Sequence, residues 1–153
     1  MSSKRTIRTA VATDVPVIVQ IDALASGSSA WSYKQLLAVC DGSSLTERAL
    51  VVEENTKTLG FVVYQIVVDE GSIHTIAVHP GFRRLGLASC LLEAAMKAFA
   101  QASVARVFLE VRITNEAARG LYRRAGFEDD GIRKNYYRSE LGREDALLMS
   151  KFL

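Results

Sequence analysis

Between Ala49 and Val78 the chain carries three strand-length runs with almost nothing between them, and then its hydrophobic period changes. Ala49 to Glu54 and Leu59 to Asp69 are rich in β-branched and aromatic residues and are joined by the polar turn Asn55 to Thr58. Gly71 is expected to turn the chain again, into a strand from Ser72 to Val78. Three strands so closely joined form an antiparallel meander. From there Leu87, Leu91, Leu92, Ala95, Met96 and Phe99 recur at helical spacing, which predicts a helix from Gly86 to Gln101.

The flanks fill in around this switch. Thr6 to Val11 reads as a first strand. Thr13 or Asp14 offers a helix cap, Pro16 suits the first turn, and apolar residues at helical spacing carry that helix to Ala25. Ser26-Gly27-Ser28-Ser29 breaks it. Ser32 and Gln35 form a capping box, with Trp31 and Leu36 placed as a hydrophobic staple, for a helix ending near Cys40. Trp31 also suits a loop that faces substrate. Val104 to Val111 is nearly all apolar and predicts a central strand buried on both faces. Thr114 or Asn115 caps a short helix that stops at Gly126. Two strands, Phe127 to Tyr137 and Ala146 to Phe152, complete the order β-α-α-β-β-β-α-β-α-β-β. That order predicts one α/β (α+β) domain over residues 1–153, a mixed sheet with helices on both faces.

Composition removes several classes. The 153 residues favour a single core. Lys plus Arg is 19 against 17 Asp plus Glu, a net charge of +2, too small for an expected nucleic-acid binder. No apolar run reaches the ~18 residues of a membrane helix, and no signal peptide is evident, so no membrane partner and a cytoplasmic location are expected. Cys40 and Cys90 have no metal spacing, and His74 and His79 no metal partner set, so no metal is expected. Cys90, on the apolar side of its helix, reads as a buried, inert thiol.

The stretch from Ile76 to Ser89 carries the chemistry. A strand ends, Pro80-Gly81 turns the chain, and a helix starts among small residues. Unpaired N–H groups and the dipole at a helix start suit an anion, and Gly86 and Ala88 let the backbone approach it. Arg83 and Arg84 add charge that suits a pyrophosphate. Neither the dinucleotide fingerprint nor the nucleotide loop ending in Gly-Lys-Ser/Thr is present. Arg83-x-x-Gly86-x-Ala88, after Ile-Ala-Val, resembles the acetyl-coenzyme-A signature of the GNAT superfamily of N-acetyltransferases, Gln/Arg-x-x-Gly-x-Gly/Ala. The resemblance implies the GNAT fold over nearly the whole chain, with a mostly antiparallel central sheet. It implies acetyl-CoA as co-substrate, held by Ile76, Ala77 and Val78 along the pantetheine arm and by Arg83, Arg84, Leu85, Gly86, Leu87, Ala88 and Ser89 at the pyrophosphate.

Within the superfamily, Leu109-Glu110-Val111-Arg112, Leu121-Tyr122 with Gly126-Phe127, Asn135-Tyr136-Tyr137 and Glu144-Asp145-Ala146 resemble, in that order, the bacterial ribosomal-protein-alanine N-acetyltransferases. The match is good from residue 69 to residue 150. It implies transfer of acetyl to the N-terminal alanine of a ribosomal protein, by a monomer or weak homodimer. Glu110 resembles the general base, Tyr122 the general acid and Asn115 a cofactor-binding side chain. Leu85 departs from the basic residue frequent at its place, and the loop Ser26 to Ser32 is less aromatic than in those enzymes.

The residue types suit the reaction. An α-amine has a pKa near 8, so at neutral pH about nine-tenths still carries a proton for a carboxylate to accept, directly or through water. Burial at the end of a central strand is expected to raise the Glu110 pKa towards that task. A phenol can hydrogen-bond the leaving thiolate and then protonate it, and an N–H near Val78 can polarise the thioester carbonyl. No acyl-enzyme is needed. Trp31, Tyr136 and Tyr137 are candidate substrate contacts, and strand alternation predicts that only one of the two tyrosines faces the groove, without saying which. Glu140, Glu144 and Asp145 are candidate partners for a basic peptide. A lysine or small-amine acetyltransferase and a non-catalytic acetyl-CoA-binding module stand as alternatives.

Overall fold

A computed structural model describes residues 4–26, 30–139 and 142–153, with the side chains of Ser26, Arg138 and Ser139 outside the description. The expected break at residues 27–29 and Glu140 therefore lie outside the described residues. The strands are β1 Arg5–Thr9, β2 Glu47–Glu54, β3 Lys57–Val67, β4 Glu70–Val78, β5 Arg106–Arg112, β6 Glu128–Ser139 and β7 Gly142–Phe152. The helices are α1 Val15–Ser26, α2 Tyr33–Cys40, α3 Leu87–Gln101 and α4 Glu116–Arg124. The strands form one sheet in the order β1-β2-β3-β4-β5-β7-β6. All neighbours are antiparallel except β4 and β5.

That one parallel pair is short. β4 and β5 are paired only from Glu70 with Arg106 to Ile73 with Leu109. Beyond it β4 stays with β3 as far as Val78, while β5 stays with β7 as far as Arg112. The sheet thus forks after Ile73 and Leu109. A bulge marks the fork: Val63 opposes Thr75 and Tyr64 opposes Ile73, leaving His74 as an extra residue. An inserted residue bends its strand and increases the local twist.

Two layers of helix cover the sheet. On one side Leu87, Leu91, Ala95 and Phe99 of α3 and Tyr122 of α4 pack with Val62, Tyr64, Val107, Leu109 and Met149 of the strands. On the other, Val15, Ile18 and Ile21 of α1 and Leu36 and Val39 of α2 pack with Val51, Phe61, Val63 and Ala77. Each of the larger of these side chains removes about 1.5–3 kcal/mol worth of apolar surface from water. No helix among the described residues is long and apolar enough to cross a membrane.

Several expectations needed correction. α1 is not capped by Thr13 or Asp14. A 3-10 turn, Ala12–Asp14, leads into it, and the Asp14 carboxylate instead accepts the Val11 N–H at 2.7 Å and both terminal nitrogens of Arg8 at 2.8 Å. Gly71 does not turn the chain. Val68, at φ 57, and Asp69 do, and Gly71 lies inside β4, where a Cβ would sit 2.6 Å from the Phe99 ring. β5 is buried on one face only. Val107, Leu109 and Val111 enter the core, while Arg106, Phe108, Glu110 and Arg112 are half-buried on the other side. That second side, with Phe108 between charged residues, is a cavity wall rather than core.

The capping box formed as expected: Gln35 N–H donates to Ser32 Oγ at 3.1 Å and Ser32 N–H to Gln35 Oε1 at 2.9 Å. Asn115 Oδ1 accepts the Ala118 N–H at 3.1 Å, and Gly126 follows α4 at φ 96. Cys40 and Cys90 are both free thiols, and Cys90 is half-buried beside Arg5 rather than sealed in the core.

Candidate active site

The loop after β4 is built to leave N–H groups free. His79 accepts the Gly81 N–H on Nδ1 at 3.1 Å and so closes the 3-10 turn Pro80–Phe82. Arg84 at φ 64 and Gly86 at φ 77 then swing the chain into α3, and Cys90 N–H is the first to find a helical carbonyl, that of Gly86. The N–H groups of Leu87, Ala88 and Ser89 have no partner within the helix. Arg5 holds the loop from outside, donating to the Leu85 carbonyl at 3.1 Å while paired with Glu54 at 2.9 Å.

The fork leaves β4 with an open edge. His79 N–H donates to the Leu59 carbonyl across β3 at 2.8 Å. Alternation along a strand then turns the N–H and C=O groups of Ile76 and Val78 the other way, towards the gap that β5 has left. A cavity of about 820 Å³ runs along this edge to the start of α3, lined by Ile76, Ala77, Val78, Arg83, Arg84, Gly86, Leu87, Ala88 and Ser89, and by Asn115 and Tyr122 from the α4 side. On the opposite side of the fork lies a groove of about 850 Å³, walled by Trp31, Phe108, Tyr136 and Tyr137. Trp31, His74, Glu110 and Tyr137 line both. The two cavities meet at these four side chains.

Charges at the junction are paired in ways the local sequence does not announce. Arg133 of β6 reaches the Glu110 carboxylate at 3.1 Å, and the Tyr136 hydroxyl bonds to it as well. Glu110 is thus partly exposed, at 30% of its side chain, and held by an arginine, not sealed in an apolar strand as expected. Arg112 pairs instead with Glu144 at 3.2 Å and lies over the Tyr137 ring at 4.6 Å. Burial first, then the Glu110 charge, pushes the Tyr137 phenol up to about 12. Burial also holds the Tyr122 phenol above its ordinary value, so it carries its proton at neutral pH. Tyr122 packs edge-on against Phe127, 5.9 Å between ring centres, with α4 capped by Asn115 beneath it.

An open sheet edge, a cradle of free N–H groups and a second cavity meeting the first at a carboxylate together describe a transfer site. Comparison with known proteins agrees. Residues 20–127 match the family model described as Acetyltransferase (GNAT) family. The chain is 37% identical over 147 residues to the [Ribosomal protein bS18]-alanine N-acetyltransferase of Escherichia coli strain K12, covering 95% of each. The crystal structure of the ribosomal-protein-S18-alanine N-acetyltransferase from Escherichia coli superposes with a TM-score of 0.87 at 35% identity, over 96% of this chain and 92% of that one. Arabidopsis thaliana NAA60 in complex with acetyl-CoA has the same fold, with a TM-score of 0.88 at 18% identity, over 98% and 99%.

This chain belongs to the GNAT acetyltransferase family.

As a GNAT enzyme it is an acetyl-CoA-dependent N-acetyltransferase, and the cavity fits that co-substrate. The free N–H groups of Leu87 to Ser89, with Arg83 and Arg84 at the rim, suit a pyrophosphate, and the open edge at Ile76 and Val78 suits an amide-bearing arm. Among the described residues no group of three or more His, Cys, Asp or Glu side chains is placed to hold a metal ion.

Most sequence-predicted site residues converge on this GNAT cavity, but not all. Leu85 does not line it. Its side chain is 50% exposed and its carbonyl is taken by Arg5. Both tyrosines face the groove, against the expectation of one. From Arg133 to Tyr137 β6 spends four steps while β7 spends two, Ala146 to Glu144, so alternation fails there. Asn135 at φ 55, its N–H donating to Asp145 at 2.9 Å, turns the irregular segment. Glu144 and Asp145 are consumed by structure and not offered to a peptide: Glu144 is taken by Arg112 and by the Thr114 hydroxyl and N–H, and Asp145 by Asn135. Trp31 is both staple and cavity wall: its side chain packs on the Leu36 cluster, and its backbone N–H donates to the buried Asp22 carboxylate at 2.6 Å. His74, Arg133 and Asp22 were missed. No local signal marks them, because each matters through a partner on another element.

Proposed function

We propose that this enzyme transfers acetyl from acetyl-CoA to the N-terminal α-amine of a protein, and that the acceptor is a ribosomal protein beginning with alanine, of the bS18 kind. The observation that carries the reading is the junction: the acetyl-CoA cavity and an open-sided groove of peptide dimensions share the Glu110 carboxylate. The relatives named for bS18, matching nearly end to end, support the acceptor.

Acetyl-CoA supplies the activated acetyl group. Glu110 attracts the acceptor ammonium and draws its proton, directly or through water. Tyr122, neutral and facing the cavity, donates a hydrogen bond and then its proton to the leaving sulfur. The Val78 N–H at the open edge polarises the thioester carbonyl. Asn115 stiffens the start of α4 so that Tyr122 keeps its place. The groove walls, Trp31, Tyr136 and Tyr137, bind the first residues of the peptide. The working form is a monomer or weak homodimer in the cytoplasm.

The test is thiol release from acetyl-CoA with a basic, alanine-first peptide, its N-terminally blocked form, and lysine and polyamine controls. Turnover confined to the free alanine terminus, lowered about 100-fold or more in Glu110→Gln and Tyr122→Phe, supports the assignment. Turnover only on lysine or polyamine overturns the acceptor. Tight acetyl-CoA binding without turnover on any amine overturns the catalytic reading.

A further inference from the structure

The last paired residues of the parallel ladder are Ile73 and Leu109, so the next residues on the two strands, His74 and Glu110, stand side by side where the fork opens. Ile73 and Leu109 both enter the α3 core, while His74 and Glu110 line both cavities at the junction. The roles given above use Glu110 and leave His74 idle.

Three features set His74 apart from an ordinary surface histidine. It is the extra residue of the β4 bulge, and bulges re-aim side chains beside active sites. Its ring lies against Trp31, 5.7 Å between centres. Its Nε2 faces the Glu47 carboxylate of β2 at 3.8 Å. Glu110, in contrast, already accepts from Arg133 and Tyr136. A carboxylate with these two partners, facing both cavities, is placed to hold the acceptor ammonium.

We propose that His74, backed by Glu47, shares the general-base role: the proton leaving the acceptor ammonium ends on its imidazole, while Glu110 holds the nitrogen in place. The inference rests on the acetyl-transfer reading above. In the step, an N–H bond of the ammonium breaks and an N–H bond to the imidazole forms. The electron pair stays on the amine nitrogen and forms the new bond to the acetyl carbon. The carbon–sulfur bond then breaks, Tyr122 protonates the departing thiolate and is restored by the second proton that the nitrogen loses as the amide forms, and the imidazolium returns its proton to water through the groove. A carboxylate beside an imidazole stabilises the imidazolium, as in the Ser-His-Asp arrangement.

The charged and titratable groups around His74 are Glu47 on β2, Glu110 with its partner Arg133, and the phenols of Tyr136 and Tyr137 on β6. Partial burial lowers the His74 pKa and the two carboxylates oppose it, so the ring is neutral and ready to accept at neutral pH. Both phenols are held above their ordinary value and stay uncharged.

The experiment compares kcat and KM from about pH 5 to pH 9 for the wild type, His74→Gln, Glu47→Gln and Glu110→Gln, using acetyl-CoA and the alanine-first peptide. His74→Gln is expected to lose about 100-fold in kcat with little change in peptide KM, and to lose the acid limb that belongs to the imidazole. In Glu47→Gln that limb moves to lower pH, because the imidazolium has lost its partner. Glu110→Gln raises peptide KM besides lowering turnover, and keeps the acid limb that belongs to the imidazole. Added imidazole restores part of the rate to His74→Ala but not to the wild type. A His74→Gln enzyme with wild-type kcat and an unchanged profile overturns the proposal. Should His74→Gln fail to fold or to bind acetyl-CoA, an unmoved acid limb in Glu47→Gln overturns it instead. Wild-type turnover only on a lysine or polyamine control defeats the peptide reading, and the same profiles run on that amine still decide the role of His74.

Discussion

Gly86 offers a substitution whose effect on the protein and on its co-substrate can be separated. It begins α3 at φ 77, and a Cβ built there meets no protein atom within 4 Å. Gly42, between α2 and β2, is its twin in backbone terms, at φ 85 and equally open. An L residue in the left-handed region costs about 1–2 kcal/mol, and the stiffer unfolded chain returns about 0.4–1 kcal/mol. The net loss is about 1 kcal/mol at either site, or about 2–4 °C in Tm for a chain of this length. The two sites differ in what occupies the empty space. At Gly86 it is the cavity in which we propose the pyrophosphate sits, where a methyl group would take room the phosphate needs. Gly86→Ala is expected to weaken acetyl-CoA binding more than tenfold, about 1.4 kcal/mol, while Gly42→Ala leaves it unchanged. Thermal unfolding without ligand and calorimetric titration with acetyl-CoA measure both quantities on the same samples. Equal Tm losses with wild-type affinity in Gly86→Ala would refute the placement of the pyrophosphate. Equal weakening in both variants would refute the separation of strain from contact.

Three further outcomes follow from particular contacts. Gly71→Ala drives a methyl group into the fully buried Phe99 ring and should cost about 1–3 kcal/mol, with recovery when Phe99→Leu is added. Urea unfolding checks it, and an unaltered midpoint contradicts the close approach. The Arg8 hydrogen bonds hold the Asp14 carboxyl below its ordinary value of about 3.9. That contribution to stability is complete above the unfolded value and is lost as pH falls through the lower folded value. Arg8→Met should therefore flatten the acid side of the stability profile and leave its shape near neutral pH intact. Arg5→Ala frees the Leu85 carbonyl and should raise the acetyl-CoA KM about 3–10-fold at constant kcat. A fall in kcat at constant KM would show that Arg5 acts elsewhere.

The legible part of this enzyme was whatever a residue does with its chain neighbours. The change from period two to a helical period placed the meander and α3. Ser32 with Gln35, Asn115 with Ala118, and Gly126 after α4 act over three or four residues, so their types at those spacings were enough. The start of α3 with its free N–H groups was legible for the same reason, because they follow from a helix start and Gly86 precedes it. The resemblance carried by Glu110 and Tyr122 added roles that spacing alone does not contain.

The tertiary structure decided what depends on a partner from another strand. A bulge is invisible in one strand, because it is a mismatch between two, so neither His74 at the fork nor the shared outlook of Tyr136 and Tyr137 followed from alternation. Gly71 looked like a turn until Phe99 arrived from α3 to require its missing side chain. Glu110 looked buried because its neighbours in sequence are apolar, yet one face of β5 is core and the other a cavity wall. Which carboxylate Arg112 and Arg133 would each take was set by the β5-β7-β6 order and its register. Hydrophobic pattern and capping are local free energies that each segment carries with it. Charge pairing and cavity shape exist only once distant segments have met, so the sequence by itself determined the scaffold and the helix start with its free N–H groups, and the fold decided the electrostatics of the junction between the two cavities.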